Sequence, residues 1–337
     1  MPKQEGYVQI PVRELHELAY RSLVKIDVPA DQALIITDSL VMADQRGVYT
    51  HGTVCLPRYI GLMSSKKMRK EARYTIVRET DAVQVWDGMS SNGQVLGNWA
   101  MHEAVRRARD HGIGLVAVKS SNHFGAGAYY AQLAQQEGMI GIAMSTGAST
   151  MAPWGGADRL IGNNPVAVAV PARVHFPVVL DMAQSVVAFG RVTNMKKEGR
   201  KEIPEGWALD SDGVPTQDID RVHTVLPMAK HKGFGTALIV DILSGILFGG
   251  ATGARAADDQ EGPSCLFVAL DIGAFGDSGD FLTAVDARID ELKGSRLAPW
   301  AKAIYMPGEI EHRNMLSAEE NVWMMPQILE DLRALPR

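Results

Sequence analysis

Cysteine is nearly absent from the chain: Cys55 and Cys265 are the only two among 337 residues, and they stand far apart. That excludes a disulfide framework and a cysteine-based metal centre, and the simplest expectation is a reducing, cytoplasmic setting. An excess of one charge is also missing. With 34 Lys+Arg against 39 Asp+Glu, the formal net charge is -5, which gives no electrostatic basis for a nucleic-acid or anionic-membrane partner. The nine histidines include no His-Glu-x-x-His or comparable spacing, so no metal is expected. The opening Met-Pro-Lys-Gln-Glu-Gly-Tyr has no basic segment followed by an apolar one, so no secretion signal is expected. Uninterrupted apolar runs stay far short of the ~20 residues a membrane span needs. The one tempting stretch, Gly233 to Gly253, has Asp241 at its centre and reads as a buried or amphipathic core helix.

What is present is ordinary globular composition, 46% hydrophobic and 22% charged with Gly 33 and Pro 16, in a length that suits about two domains. The opening third reads as helical. Pro11 suits a first helical turn, and Val12, Leu15, Leu18/Ala19 and Leu23 recur at helical spacing. A second helix is expected over about 29–44 with Leu34, Ile35, Val41 and Met42 on its apolar side, and a polar loop over 46–52. From about residue 80 strands and helices alternate. A short strand around Val83 and Val85 precedes a helix from Gln94 to Asp110 closed by Gly112, then a strand from Ile113 to Val118. A helix over about 126–137 and a strand from Met139 to Met144 follow, and the two strands with their crossover form an expected parallel βαβ unit. The loops 119–125 and 145–153 should then lie side by side at the carboxyl edge, where α/β proteins commonly bind ligands. Further strands are expected at 166–170, 178–180, 266–271 and near Ile304, a polar excursion with an Asp212-Gly213 turn over 194–220, and helices over 235–247, 281–293 and 327–334.

Several groups carry possible chemistry. His123, in Ser120-Ser121-Asn122-His123-Phe124-Gly125, falls between a strand end and a helix start. There the positive helix end favours a neutral imidazole able to exchange a proton; satisfying the loop backbone is an equal alternative. His51 has Arg46 five residues before it and Arg58 seven after, a set suited to a small anion because a guanidinium pairs bidentately with a carboxylate. Taken singly, each arginine reads better as a solvated surface residue, and the set gains meaning only if His51 and His123 converge. Lys232-Gly233-Phe234-Gly235 opens a helix whose free N–H groups suit a phosphate. The stretch Gly125-Ala126-Gly127-Ala128-Tyr129-Tyr130 begins like a dinucleotide fingerprint, but Tyr130 replaces the third glycine and Ser145 stands where an acid belongs, so a Rossmann site is not supported. Gly276-Asp277-Ser278-Gly279 imitates a serine nucleophile motif, yet its place before a helix makes Asp277 and Ser278 turn and capping residues.

Taken in order, the segments Asp44-Gln45-Arg46-Gly47, Thr50-His51-Gly52, Pro57-Arg58-Tyr59, Ser121-Asn122-His123-Phe124-Gly125, Ala152-Pro153-Trp154-Gly155-Gly156 and Gly162-Asn163-Asn164-Pro165 resemble the malate/L-lactate dehydrogenase family of the second, non-Rossmann type. Asp181-Met182-Ala183, Ile203-Pro204-Glu205-Gly206-Trp207-Ala208, Lys232-Gly233-Phe234-Gly235 and Met306-Pro307-Gly308-Glu309 continue the resemblance. It implies an α/β, non-Rossmann NAD(P)-binding fold with a mixed, largely antiparallel sheet and a helical domain. Residues 1–75, joined by about 228–262 and 310–337, would form the helical substrate-side part; 76–227 with about 263–309 would form the cofactor part. It implies a homodimer and a cofactor that is NAD or NADP, with NAD preferred. His123 is then the acid/base, with His51 beside it, and Arg46, Thr50 and Arg58 hold the substrate. Gly147, Asp181, Met182, Ala183, Lys232, Gly233, Pro307, Gly308 and Glu309 would meet the cofactor. Ser264-Cys265 stands where relatives often have Gly-His, which puts a contact there in question.

The expected activity is hydride transfer between a nicotinamide and a small 2-hydroxy/2-oxo acid. A reductase of a cyclic imino acid is the first alternative, and a noncatalytic nucleotide or small-anion binding protein the second.

Overall fold

The computed structural model describes residues 6–197, 199–257 and 261–336. The first five residues and the last, both placed above in the helical part, lie outside the described residues. The chain opens with β1 (Val8–Pro11), α1 (Val12–Val24), α2 (Ala30–Gln45) and α3 (Leu56–Ser64). Leu15, Ala19 and Leu23 of α1 are buried as their spacing requires. The face of α2 is turned from the expected one: Ala33, Ile36, Leu40 and Val41 are buried while Leu34 is exposed, because α1 and α3 pack on the stripe that contains the smaller Ala33. Pro11 ends β1 and caps α1 rather than standing inside its first turn.

The body follows: β2 (Thr75–Glu79), β3 (Val83–Asp87), α4 (Gly93–His111), β4 (Ile113–Lys119), α5 (Gly127–Gln136), β5 (Ile140–Ser145), β6 (Val166–Val170) and β7 (Val178–Met182). After α6 (Phe189–Lys197) come three two-residue strands, β8 (Ala208–Leu209), β9 (Pro215–Thr216) and β10 (Thr224–Val225), then α7 (His231–Ser244), β11 (Cys265–Leu270), α8 (Ser278–Lys293), α9 (Glu309–Ser317), β12 (Asn321–Met324) and α10 (Pro326–Arg333). The main sheet has seven strands in the order β2-β3-β4-β11-β5-β6-β7. Its one parallel pair is β3 with β4, joined through α4, and its other pairings are antiparallel. The sheet is therefore mixed and largely antiparallel.

The expected βαβ unit needs correction. Strands β4 and β5 point the same way but do not pair, because β11 lies between them, antiparallel to both. β11 is buried along most of its length, which its apolar run Cys265-Leu266-Phe267-Val268-Ala269-Leu270 permits. The loops after β4 and β5 still emerge at one edge, with Pro263 and Ser264 between them: Ser121 N donates to Pro263 O at 3.1 Å and Thr146 N to Ser264 O at 2.9 Å.

Three cores result. One face of the sheet packs Val116, Val118, Phe267 and Ala143 under α4 and α5. The opposite face packs Ala117, Leu266 and Val268 against Leu243 and Phe248, so α7, grouped above with the helical part, lies on the sheet. A separate helical core joins Leu15, Ile36, Tyr59 and Met63 to Val322, Leu329 and Leu332, with β1 paired to β12. The polar excursion holds the small sheet β10-β8-β9 over a third cluster that includes Met195, Ile203 and Val225. Ile304 lies outside every strand. The mimic at 276–279 is a helix start, with Asp277 accepting from Asp280 N at 2.9 Å.

Candidate functional site

His123 sits on the loop between β4 and α5. Asn122 fixes that loop by donating from Nδ2 to Ser90 O at 2.9 Å. His51 arrives from the other side, on a pair of short turns that follow α2. The buried carboxylate of Asp44 accepts from Thr53 N at 2.9 Å and Thr53 Oγ1 at 2.6 Å, which ties this turn to α2. Gly52 is required there, since a Cβ on it would stand 1.8 Å from Asp44 Oδ1. The result brings the two imidazoles together, stacked with ring centroids 5.6 Å apart.

Tyr59, fully buried on α3, places its Oη 2.6 Å from His123 Nδ1. Nearby, Cys55 Sγ donates to Thr50 O at 3.3 Å. Thr50 Oγ1 in turn lies 3.0 Å from His51 Nδ1. Burial, then the neighbouring His51 and Arg58, pushes the His123 imidazole down to about 3, and burial lowers that of His51. Both rings are neutral at pH 7. Burial also holds the Tyr59 phenol well above its ordinary range, so it stays protonated.

Two adjoining cavities meet at His51, Gly125, Asn163 and Pro165. The first, about 260 Å³, is lined by Arg46, Thr50, Asp181, Met182, Ala183, Pro307, Gly308 and Glu311. Small residues from Gly125 to Ala128 line it at the start of α5. Asp181 is open to this cavity yet surrounded by protein; burial pushes its carboxyl up to about 6 while Ala128 N, donating at 2.8 Å, opposes the rise. The second cavity, about 300 Å³, holds His123, Arg58, Asn122 and the loop from Ser145 to Ala148.

The expected site residues therefore divide. His123, Arg58 and Gly147 share the second cavity, and Arg46, Thr50, Asp181, Met182, Ala183, Pro307 and Gly308 share the first. Arg46 is buried, donates to Gln132 Oε1 at 3.1 Å and lies in the field of Glu311 and Asp181. Lys232, Gly233 and Glu309 line neither cavity. Lys232 is exposed at the start of α7, and Gly233 is a packing glycine whose Cβ would fall 2.3 Å from Met228 O. Glu309 is buried in ion pairs with Lys293 at 2.7 Å and Arg313 at 2.5 Å. Ser264 is structural: its Oγ accepts from Ala251 N at 3.1 Å and its N donates to Thr146 Oγ1 at 2.9 Å.

Sequence reasoning gave Tyr59 no role, since a buried aromatic on an amphipathic helix has the signature of any core residue. It also missed Asn164, which accepts from Gly147 N at 2.9 Å and donates to Asp241 Oδ1 at 2.8 Å. That bond accounts for the acid within the apolar α7. The segment His231–Phe248 passes the length and composition test for a membrane span, but Asp241 within it is turned to the sheet side.

The sheet order is not that of a Rossmann fold, and His51, stacked on His123, borders both cavities. The model of the malate/L-lactate dehydrogenase family matches residues 10–333. A malate dehydrogenase of Pyrococcus abyssi is 40% identical over 90% of this chain and 87% of its own length. An L-sulfolactate dehydrogenase of Methanocaldococcus jannaschii is 34% identical over 93% and 92%. The solved malate dehydrogenase of Pyrococcus horikoshii superposes with a TM-score of 0.90 at 34% identity, covering 98% of this chain and 95% of that one. The chain belongs to the malate/L-lactate dehydrogenase family, and is a nicotinamide-dependent oxidoreductase.

Proposed function

We propose that the enzyme interconverts a small 2-hydroxy acid and its 2-oxo acid, with His123 exchanging the hydroxyl proton. The observation that carries this reading is the half-buried, neutral His123 held by Tyr59 at 2.6 Å beside the cationic Arg58 in one cavity. Tyr59 Oη occupies His123 Nδ1, which leaves Nε2 for the substrate. In the tautomer that gives Nδ1–H to the phenol oxygen, the lone pair on Nε2 is a general base. Arg58 pairs with the substrate carboxylate, and His51 stands between the cavities, oriented by Thr50. In the reverse direction the protonated imidazole returns its proton to the carbonyl oxygen; a carboxylate bound at Arg58 offsets the cation that otherwise disfavours that charge.

The nicotinamide end of the cofactor fits the first cavity, where small residues leave a flat space beside His51, and when bound it supplies or accepts the hydride. Asp181, Met182, Ala183, Pro307 and Gly308 would hold it. Asp181 and Glu311 supply the carboxylates of this pocket. Arg46 belongs to this side, steadying those carboxylates rather than gripping substrate.

A homodimer is supported by the outer face of α7 and the turn beyond it, where Leu238, Ile239, Ile242, Ile246 and Leu247 are exposed at helical spacing. A cytoplasmic location agrees with two free thiols. The helical unit of 1–75 and 310–337 would close over the cofactor part.

His123→Ala tests the assignment. Turnover of 2-oxo acids with NADH should fall by about 10²–10⁴-fold while NADH still binds; unchanged turnover rejects the role.

A further inference from the structure

The cavity that holds His123 carries little positive charge. Arg58 is the single Lys or Arg side chain among the described residues lining it. Next to this lining, Arg255 is already paired with Glu261 at 2.6 Å. Arg46 lies in the adjoining cavity, where Glu311 and Asp181 already face it. The lining includes the small, neutral Gly147, Ala148, Ala256 and Ala257. Several polar groups of the lining are spent internally: Ser145 Oγ donates to Thr146 O at 2.8 Å, Thr146 Oγ1 to Ala251 O at 3.0 Å, and Gly147 N to Asn164 Oδ1 at 2.9 Å; the Asn163 carboxamide beside Gly147 is uncharged.

One substrate carboxylate is therefore compensated. A second anionic group on the substrate's tail would lose its water against alanine and glycine with no counter-charge. We propose that this enzyme takes 2-oxo acids with a single carboxylate and a small uncharged tail, the carboxylate on Arg58 and the tail against Gly147–Ala148 and Ala256–Ala257. Dicarboxylates and sulfonated acids, the substrates named for the Pyrococcus and Methanocaldococcus relatives, are disfavoured. This rests on the functional reading above, and the volume of about 300 Å³ limits the tail to a few carbons.

The test pairs a binding readout with turnover. Calorimetric titration of the NADH-saturated enzyme compares oxamate, with one carboxylate, and tartronate, with two; kcat/KM compares 2-oxobutyrate with oxaloacetate. Oxamate should bind about tenfold more tightly or better, and 2-oxobutyrate should be favoured by a similar factor. Tartronate binding as tightly as oxamate, or oxaloacetate turned over as well as 2-oxobutyrate, overturns the proposal. Loss of all 2-oxo acid turnover with the oxamate preference intact removes the functional reading and leaves the single-charge site standing. Ala148→Arg places a cation at the tail and should shift the tartronate-to-oxamate affinity ratio about tenfold toward tartronate; an unchanged ratio in the folded variant overturns the tail's placement.

Discussion

Tyr59 Oη stands 2.6 Å from His123 Nδ1, so the helical core reaches into the site and sets which imidazole nitrogen is free. Tyr59→Phe removes this partner and leaves the ring nitrogen Nδ1 unpaired. The expected result is a fall in kcat on the order of tenfold, with KM for the cofactor unchanged and the kcat pH profile displaced. A merely structural role for Tyr59 would lower stability and leave the pH profile where it was.

Gly52 admits no side chain because of Asp44. Gly52→Ala should push the His51 turn off α2, costing about 1–3 kcal/mol of stability and most of the turnover. Denaturant unfolding and steady-state kinetics on one preparation check both; wild-type kinetics in the variant would separate His51 from the reaction.

Asp44 predicts a pH signature. Burial pushes its carboxyl up to about 7 from the ordinary 3.8. Below 3.8 the folded and unfolded chains both hold the proton, and the contribution to stability is complete. As pH rises, the unfolded chain releases its proton first, so this contribution is lost progressively until about pH 7. His123, lowered from 6.5 to about 3, acts in the opposite sense: its contribution is present above 6.5 and lost as pH falls. The wild-type curve alone mixes the two. Asp44→Asn isolates the first, and the Tm of the variant should gain on wild type between pH 4 and 8; parallel Tm curves would exclude an ionising Asp44.

Glu309 tests a different division of labour. Its carboxylate is buried, paired with Lys293 and Arg313, and accepts from Met306 N at 3.0 Å, holding the turn that carries Pro307 and Gly308. Glu309→Gln should cost about 3 kcal/mol of stability. A rise in cofactor KM without that loss would return Glu309 to direct cofactor contact.

The legible parts of the sequence were local. Helical spacing located α1, α4 and α5, and an ordered set of short motifs marked both histidines and the loops that carry them. What escaped it was non-local. β11 enters between β4 and β5 from about 120 residues downstream, and no periodicity announces an insertion of that kind. β1 and β12 are short, and each has meaning only beside the other. The division of Arg46 from Arg58 was equally hidden, because sequence order places both near His51 while the turns after α2 send them into different cavities.

The pairing of β1 with β12 has a consequence for biosynthesis. Val8 meets Met324 and Pro11 meets Asn321, and Leu329 and Leu332 complete the core that Leu15 begins. α1 to α3 thus complete their core only once β12 and α10 have been made. Until then part of their apolar stripe lacks its cover, a state open to aggregation. C-terminal truncation within α10 should be felt first at the opposite end of the chain.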